Sequence, residues 1–167
     1  MPRDEVPPLT EDEAEFVEVV RARTVGWVPS TAPEDWYDGM QVGSDDGRCL
    51  VWADLIVDNS TLLTVGAYYN GAVTTTGSLH TQLFVLDRDD IRVLPSTFGG
   101  PVSEQAAGAA DWLDRLVRRP IRRRDWSGTA REYAFADDGT SLVVSGSQRD
   151  RSGPPLRESV LQISEER

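Results

Sequence analysis

The order of sequence patterns predicts an α+β fold: a single domain in which two main helices, one N-terminal and one central, pack on an antiparallel sheet of about six to eight strands. Three observations carry this. A helical period appears twice, near the N-terminus and in the middle of the chain. Elsewhere apolar residues recur at every second position. The segments so marked follow one another too closely for parallel crossovers, which need a dozen or more residues. A length of 167 residues accommodates one domain with one sizeable core. Residues 10–167 form that domain, and the Pro-rich, acidic residues 1–9 read as a flexible lead-in.

The first helix opens at Thr10-Glu11-Asp12-Glu13, a capping box in which the Thr hydroxyl and the Glu carboxylate satisfy each other's backbone amides. Acids in its first turn and Arg21 and Arg23 near its end both suit the helix dipole. Phe16, Val17 and Val20 supply its apolar stripe, and Gly26 marks a stop. Residues 24–47 show no period but hold Trp27, Trp36 and Tyr37 among prolines and acids. A connection of that length and aromatic content either packs over the sheet or presents a contact surface.

Alternation then predicts strands over 48–57, 61–69, 71–76, 80–87 and 91–94, punctuated by Asp58-Asn59, Asn70-Gly71 and residues 87–90. Asn70-Gly71 is the strongest hairpin signal of this half. The second helix follows, capped by Ser103 and carrying Ala109, Trp112, Leu113, Leu116 and Val117 on one face, with Pro120 ending it. Strands over 121–126, 131–136, 141–146 and 156–163 complete the sheet.

Composition excludes much chemistry. All seventeen basic residues are Arg, which removes Schiff-base and phosphate-loop lysines. A single His and a single Cys exclude two-imidazole sites, internal disulfides and Cys-rich zinc sites. Neither a signal-like N-terminus nor an apolar run near the ~20 residues of a membrane span is visible, so the chain reads as cytoplasmic. No cofactor motif and no metal-ligand spacing stand out. Asp45-Asp46-Gly47 and Asp87-Arg88-Asp89-Asp90 lack calcium-loop spacing and suit turns. Ser78 and His80, two apart, are placed on one strand face without an orienting acid or nucleophile elbow nearby. Cys49 heads an apolar run and reads as a buried thiol, and Asp54, within the same run, as a group on a solvated strand face. The small-residue loop before the second helix lacks phosphate-loop spacing and carries Glu104.

Charge divides unevenly. Residues 1–60 hold fourteen acids against four Arg, whereas residues 111–167 hold ten acids against eleven Arg, within a net charge of −11. Arg118, Arg119, Arg122, Arg123 and Arg124, with Arg115 before them, form a basic patch flanked by Trp112 and Trp126. Its expected partners are the acids of the N-terminal helix, since the overall charge opposes approach to a nucleic acid.

Three functional classes remain. The leading one is a non-catalytic acidic protein-binding module, an adaptor or a protein of immunity or inhibitor type. In it Glu11, Asp12, Glu15 and Glu18 steer association, and Trp27, Trp36 and Tyr37 anchor the protein partner. A small hydrolase-type enzyme using carboxylates and Arg is the second, and nucleic-acid binding through the 115–124 segment the third.

Overall fold

A computed structural model describes residues 7–31, 45–80 and 83–161. Helix α1 (Glu11–Arg23) begins at the expected capping box: Thr10 Oγ1 accepts from the Glu13 amide at 3.2 Å, and the Thr10 amide donates to Glu13 Oε2 at 2.9 Å. Strands β1 (Ser30–Thr31), β2 (Arg48–Val57), β3 (Ser60–Tyr69), β4 (Thr74–Ser78) and β5 (Ser96–Phe98) form one antiparallel sheet in sequence order. Helix α2 (Val102–Val117) precedes β6 (Ile121–Asp125), β7 (Arg131–Phe135), β8 (Ser141–Ser145) and β9 (Arg157–Leu161). These four form a second antiparallel sheet ordered β8-β7-β6-β9. The fold is α+β with two helices, and its strands are divided between two sheets rather than gathered in one.

Both helices and both sheets contribute to the main core. Phe16, Val17 and Val20 of α1 and Ala106, Ala109, Leu113 and Leu116 of α2 pack with Val51, Leu55, Val65 and Ala67 of the first sheet. Ile121, Tyr133, Phe135 and Leu142 of the second sheet join the same cluster. Side chains alternate across a strand, so Trp52 and Tyr68 face the opposite side of the first sheet. There they form a smaller core with Cys49, Leu79 and Phe84. Gly66 makes room for this packing, because a Cβ there would meet Leu79 Cδ1 at 2.8 Å and the Val51 carbonyl at 2.9 Å. Phe84 enters this core at a φ of 49°, a left-handed conformation that costs a bulky residue about 1–3 kcal/mol.

The structure corrects several local expectations. The two-residue hairpin is at Asp58-Asn59, both at positive φ, joining Val57 to Ser60. Asn70-Gly71 does lie in the turn of the β3–β4 hairpin, but the Asn70 side-chain oxygen accepts from the Ala72 and Val73 amides, so the turn takes four residues and β4 begins at Thr74. Among the described residues, 80, 83–87 and 91–94 form no named strand, and residues 81–82 lie outside the description. Among the described residues a single bridge, Leu79–Leu86, pairs there, and Asp87 and Asp90 then capture the Asp89 and Arg92 amides and turn the chain. Ser103 does not cap α2, which begins at Val102 with Pro101 at the N-cap and no side-chain cap bond. Gln105, buried within α2, donates to the Ala72 and Gly100 carbonyls at 3.0 and 2.7 Å and accepts from Thr74 Oγ1 at 2.9 Å. Asp54 is half-buried and accepts from Thr64 Oγ1, its cross-strand neighbour, at 2.5 Å.

Arg92 ties the connection before β5 to the second sheet. It donates to the Leu142 carbonyl at 3.1 Å and to Asp90 at 2.7–3.1 Å. Burial alone would raise the Asp90 pKa, but hydrogen bonds from Arg92 outweigh it and hold the carboxyl down at about 2. A depressed folded-state pKa stabilises the fold above the ordinary carboxyl value and loses that contribution as pH falls toward 2. Between about pH 5 and pH 2 the wild type should therefore lose about 2 kcal/mol more unfolding free energy than Asp90→Asn. Urea denaturation at both pH values checks this, and equal losses would refute it.

Candidate functional site

The lead-in residues Pro7 and Pro8, the first turn of α1 and the β3–β4 turn border an open recess of about 690 Å³. Gly47, at φ 91°, permits the close approach that shapes its floor. A Cβ there would lie 2.1 Å from the Tyr69 carbonyl oxygen. Arg48 is buried beside it. Its guanidinium donates to the Pro7 carbonyl at 2.7 Å, to the Pro8 carbonyl at 3.2 Å and to Glu13 Oε2 at 3.2 Å. Of the residues expected to form a lead-in, Pro7 and Pro8 accept these bonds and Leu9 packs against the main core; residues 1–6 lie outside the described residues.

Tyr69 stacks on Phe16 with ring centroids 6.1 Å apart, and its hydroxyl donates to Asp12 Oδ2 at 3.4 Å. Burial first, and then the Asp12 carboxylate, raise the phenol's pKa. The same negative environment continues along α1. Glu11, Glu15 and Glu18 follow at i, i+4 and i+7 on the face opposite Phe16, Val17 and Val20, with Asp12 beside them, and all four are exposed. Among the described residues no cation lies within 4.0 Å of Glu11, Asp12 or Glu15, and Glu18 reaches Arg21 at that limit. Arg48, the cation at the recess, is committed to Glu13 and two carbonyls.

Trp27 sits elsewhere, half-buried against the main core, with its indole N–H donating to Asp114 at 2.8 Å. Trp36 and Tyr37 lie outside the described residues.

The basic patch is paired internally, but not with the acids of α1 as expected. Arg118 engages Asp114 at 2.9 Å and the Val25 carbonyl. Arg119 engages Asp137 and Asp138 at 2.6 and 2.8 Å while lying 3.6 Å over the Phe135 ring. Arg123 bridges Asp58 at 2.6 Å and Asp125 at 2.9 Å, and Arg124 meets Glu158 at 2.7 Å. Arg122 differs, its buried Nε having no hydrogen-bond partner among the described residues. Arg123 and Arg124 lie in β6, an inner strand of the second sheet, and find their partners in the β2–β3 turn, in β6 itself and in β9, whereas Arg118 ends α2 and pairs with Asp114 of the same helix. Asp58 also accepts from the Tyr133 hydroxyl at 2.8 Å. That bond and then the Arg123 guanidinium outweigh burial and lower its pKa.

The other residues considered for chemistry are separated. Ser78 is buried at the end of β4, whereas His80 is exposed just beyond it. Burial pushes the Cys49 thiol up to about 12, far from the thiolate a nucleophile requires. Among the described residues no group of three or more His, Cys, Asp or Glu is placed to hold a metal ion, and no helix is long and apolar enough to cross a membrane. Sequence reasoning missed Arg48 and Tyr69. The available signal for Arg48 was a lone Arg between an acidic stretch and an apolar strand. Comparisons with protein-family models, curated proteins and solved structures return no match for this chain.

Proposed function

We propose that the chain is a non-catalytic binding module, and that the acidic face of α1 with its adjoining recess receives a basic segment of a protein partner. One observation carries this reading. The carboxylates of Glu11, Asp12 and Glu15 have no described cation within reach, whereas Arg118, Arg119, Arg123 and Arg124 are each paired with acids. A Lys or Arg side chain can lay its methylenes against Pro7 and Pro8 and carry its charge to Glu11 and Asp12. Charges of this kind govern the rate and specificity of association more than raw affinity.

The test uses a labelled deca-arginine peptide as probe, titrated at low and at moderate salt. Neutralising Glu11→Gln, Asp12→Asn and Glu15→Gln together should weaken binding about tenfold at low salt. A control removing the same charge elsewhere, Asp89→Asn, Glu104→Gln and Glu132→Gln, should weaken it far less. Equal weakening by both triples would reduce the attraction to net charge and overturn the reading.

A further inference from the structure

The second sheet ends at β9 in an edge that no strand among the described residues covers. Bond direction along β6 settles which groups lie there. The Trp126 amide donates to the Ala130 carbonyl and the Ala136 amide to the Pro120 carbonyl, so even-numbered positions in and beside β6 face β7. The odd-numbered ones, Ile121, Arg123 and Asp125, therefore face their register partners on β9: Leu161, Ser159 and Arg157. On β9 the N–H and C=O groups of Glu158 and Val160 point away from the sheet, unpaired among the described residues. Leu156, just before the strand, is the exception and donates to the Asp125 carbonyl. The opposite edge, β8, is covered in part, since Arg92 donates to the Leu142 carbonyl.

We infer that this edge pairs with the same edge of a second copy of the chain, β9 against β9 and antiparallel about Ser159, joining the two four-stranded sheets into one. Pairing about Ser159 sets Glu158 opposite Val160 of the second copy, so the outward-pointing backbone groups of both strands meet as bonded pairs. Side-chain charge selects the same register. Arg122, Arg124, Glu158 and Val160 share the face turned away from Ile121, Tyr133 and Phe135, and Val160 is 59% exposed there. The row that runs from Arg122 to its register partner Val160 continues to Glu158 of the second copy. Arg122 is the one Arg of β6 without a carboxylate in reach among the described residues, and Arg123 and Arg124 are paired. Glu158 meets Arg124 through Oε2, and a carboxylate can accept from two arginines at once. Rows lie about 4.8 Å apart, so extended Arg and Glu side chains can close the two-row span over Val160. The twofold axis makes this contact twice. Overall charge points to the same end of the chain. Residues 111–167 hold ten acids against eleven Arg, so two copies of a strongly acidic chain meet there with least repulsion. This interface does not depend on the acidic-face reading.

A strand of 5 residues makes a small interface, so association is weak and concentration-dependent. Sedimentation velocity over about 5–500 µM protein measures it. The wild type should pass from monomer toward dimer as concentration rises. Val160→Pro removes an edge donor without touching a bond to β6, and should weaken dimerisation about tenfold or more. Arg122→Glu and Glu158→Arg should each weaken it about as much, because each sets like charges in one row across the axis. Mixed in equal amounts, these two variants should dimerise with about the wild-type affinity, since their reversed charges then face each other. If either charge variant fails to fold, Val160→Pro decides the matter. A wild type that stays monomeric throughout would overturn the proposal and leave the edge to an extended segment of another protein. A dimer that all three variants leave unchanged, or a mixture no tighter than its components, would overturn it too.

Discussion

Arg48→Met should lower the unfolding free energy by about 3–4 kcal/mol, the cost of stranding a buried carboxylate. The side chains of Arg48 and Glu13 are only 8% and 12% exposed, so solvent cannot replace the lost partner. The same substitution frees the Pro7 and Pro8 carbonyls, which costs less because those residues are exposed. Replacing both partners, Arg48→Met with Glu13→Gln, should recover a large part of the loss. Gln at position 13 still accepts from the Thr10 amide, and no buried charge remains. Chemical denaturation of the two single variants and the double variant measures the coupling. An additive double variant would show that the pair does not act as one unit.

The second large effect concerns binding. Reversing Glu15→Arg and Glu18→Arg should slow association with a basic peptide about a hundredfold at low salt, with the difference shrinking as salt rises. These two positions are preferable to Glu11 and Asp12 for reversal. Acids in the first turn complement the positive end of the helix, so Arg there would also cost about 0.3–1 kcal/mol of stability each. Exposed positions farther along the helix change stability little. Stopped-flow association at two ionic strengths reads the effect, and unchanged rates would remove α1 from the encounter surface.

What was legible in the chain followed local rules. The capping box placed the start of α1, and the apolar run 48–57 matches β2 at both ends. Where a polar side chain competes for the backbone, period two misleads. Asn70 delayed the start of β4, and Asp87 and Asp90 turned the chain at residues 87–92. Division into two sheets was not legible, because alternation marks strands without naming their neighbours. The same limit applies to charge. Arg123 finds Asp58 across sixty-five residues, and Arg48 finds Glu13 across thirty-five, pairings that only the closed fold brings about. The acids of α1 were legible because a helix displays its i, i+4, i+7 face regardless of tertiary context. Tyr69 and Gly47, which complete the recess, owe their positions to strand pairing and a turn.

The most direct measurement is a titration of the isotopically labelled protein with deca-arginine, followed by amide chemical shifts. Perturbations concentrated at Glu11, Asp12, Glu15, Gly47, Tyr69 and Gly71 are the predicted result. Shifts spread evenly over every exposed acid, or gathered on β6 and β9, would contradict a binding face on α1.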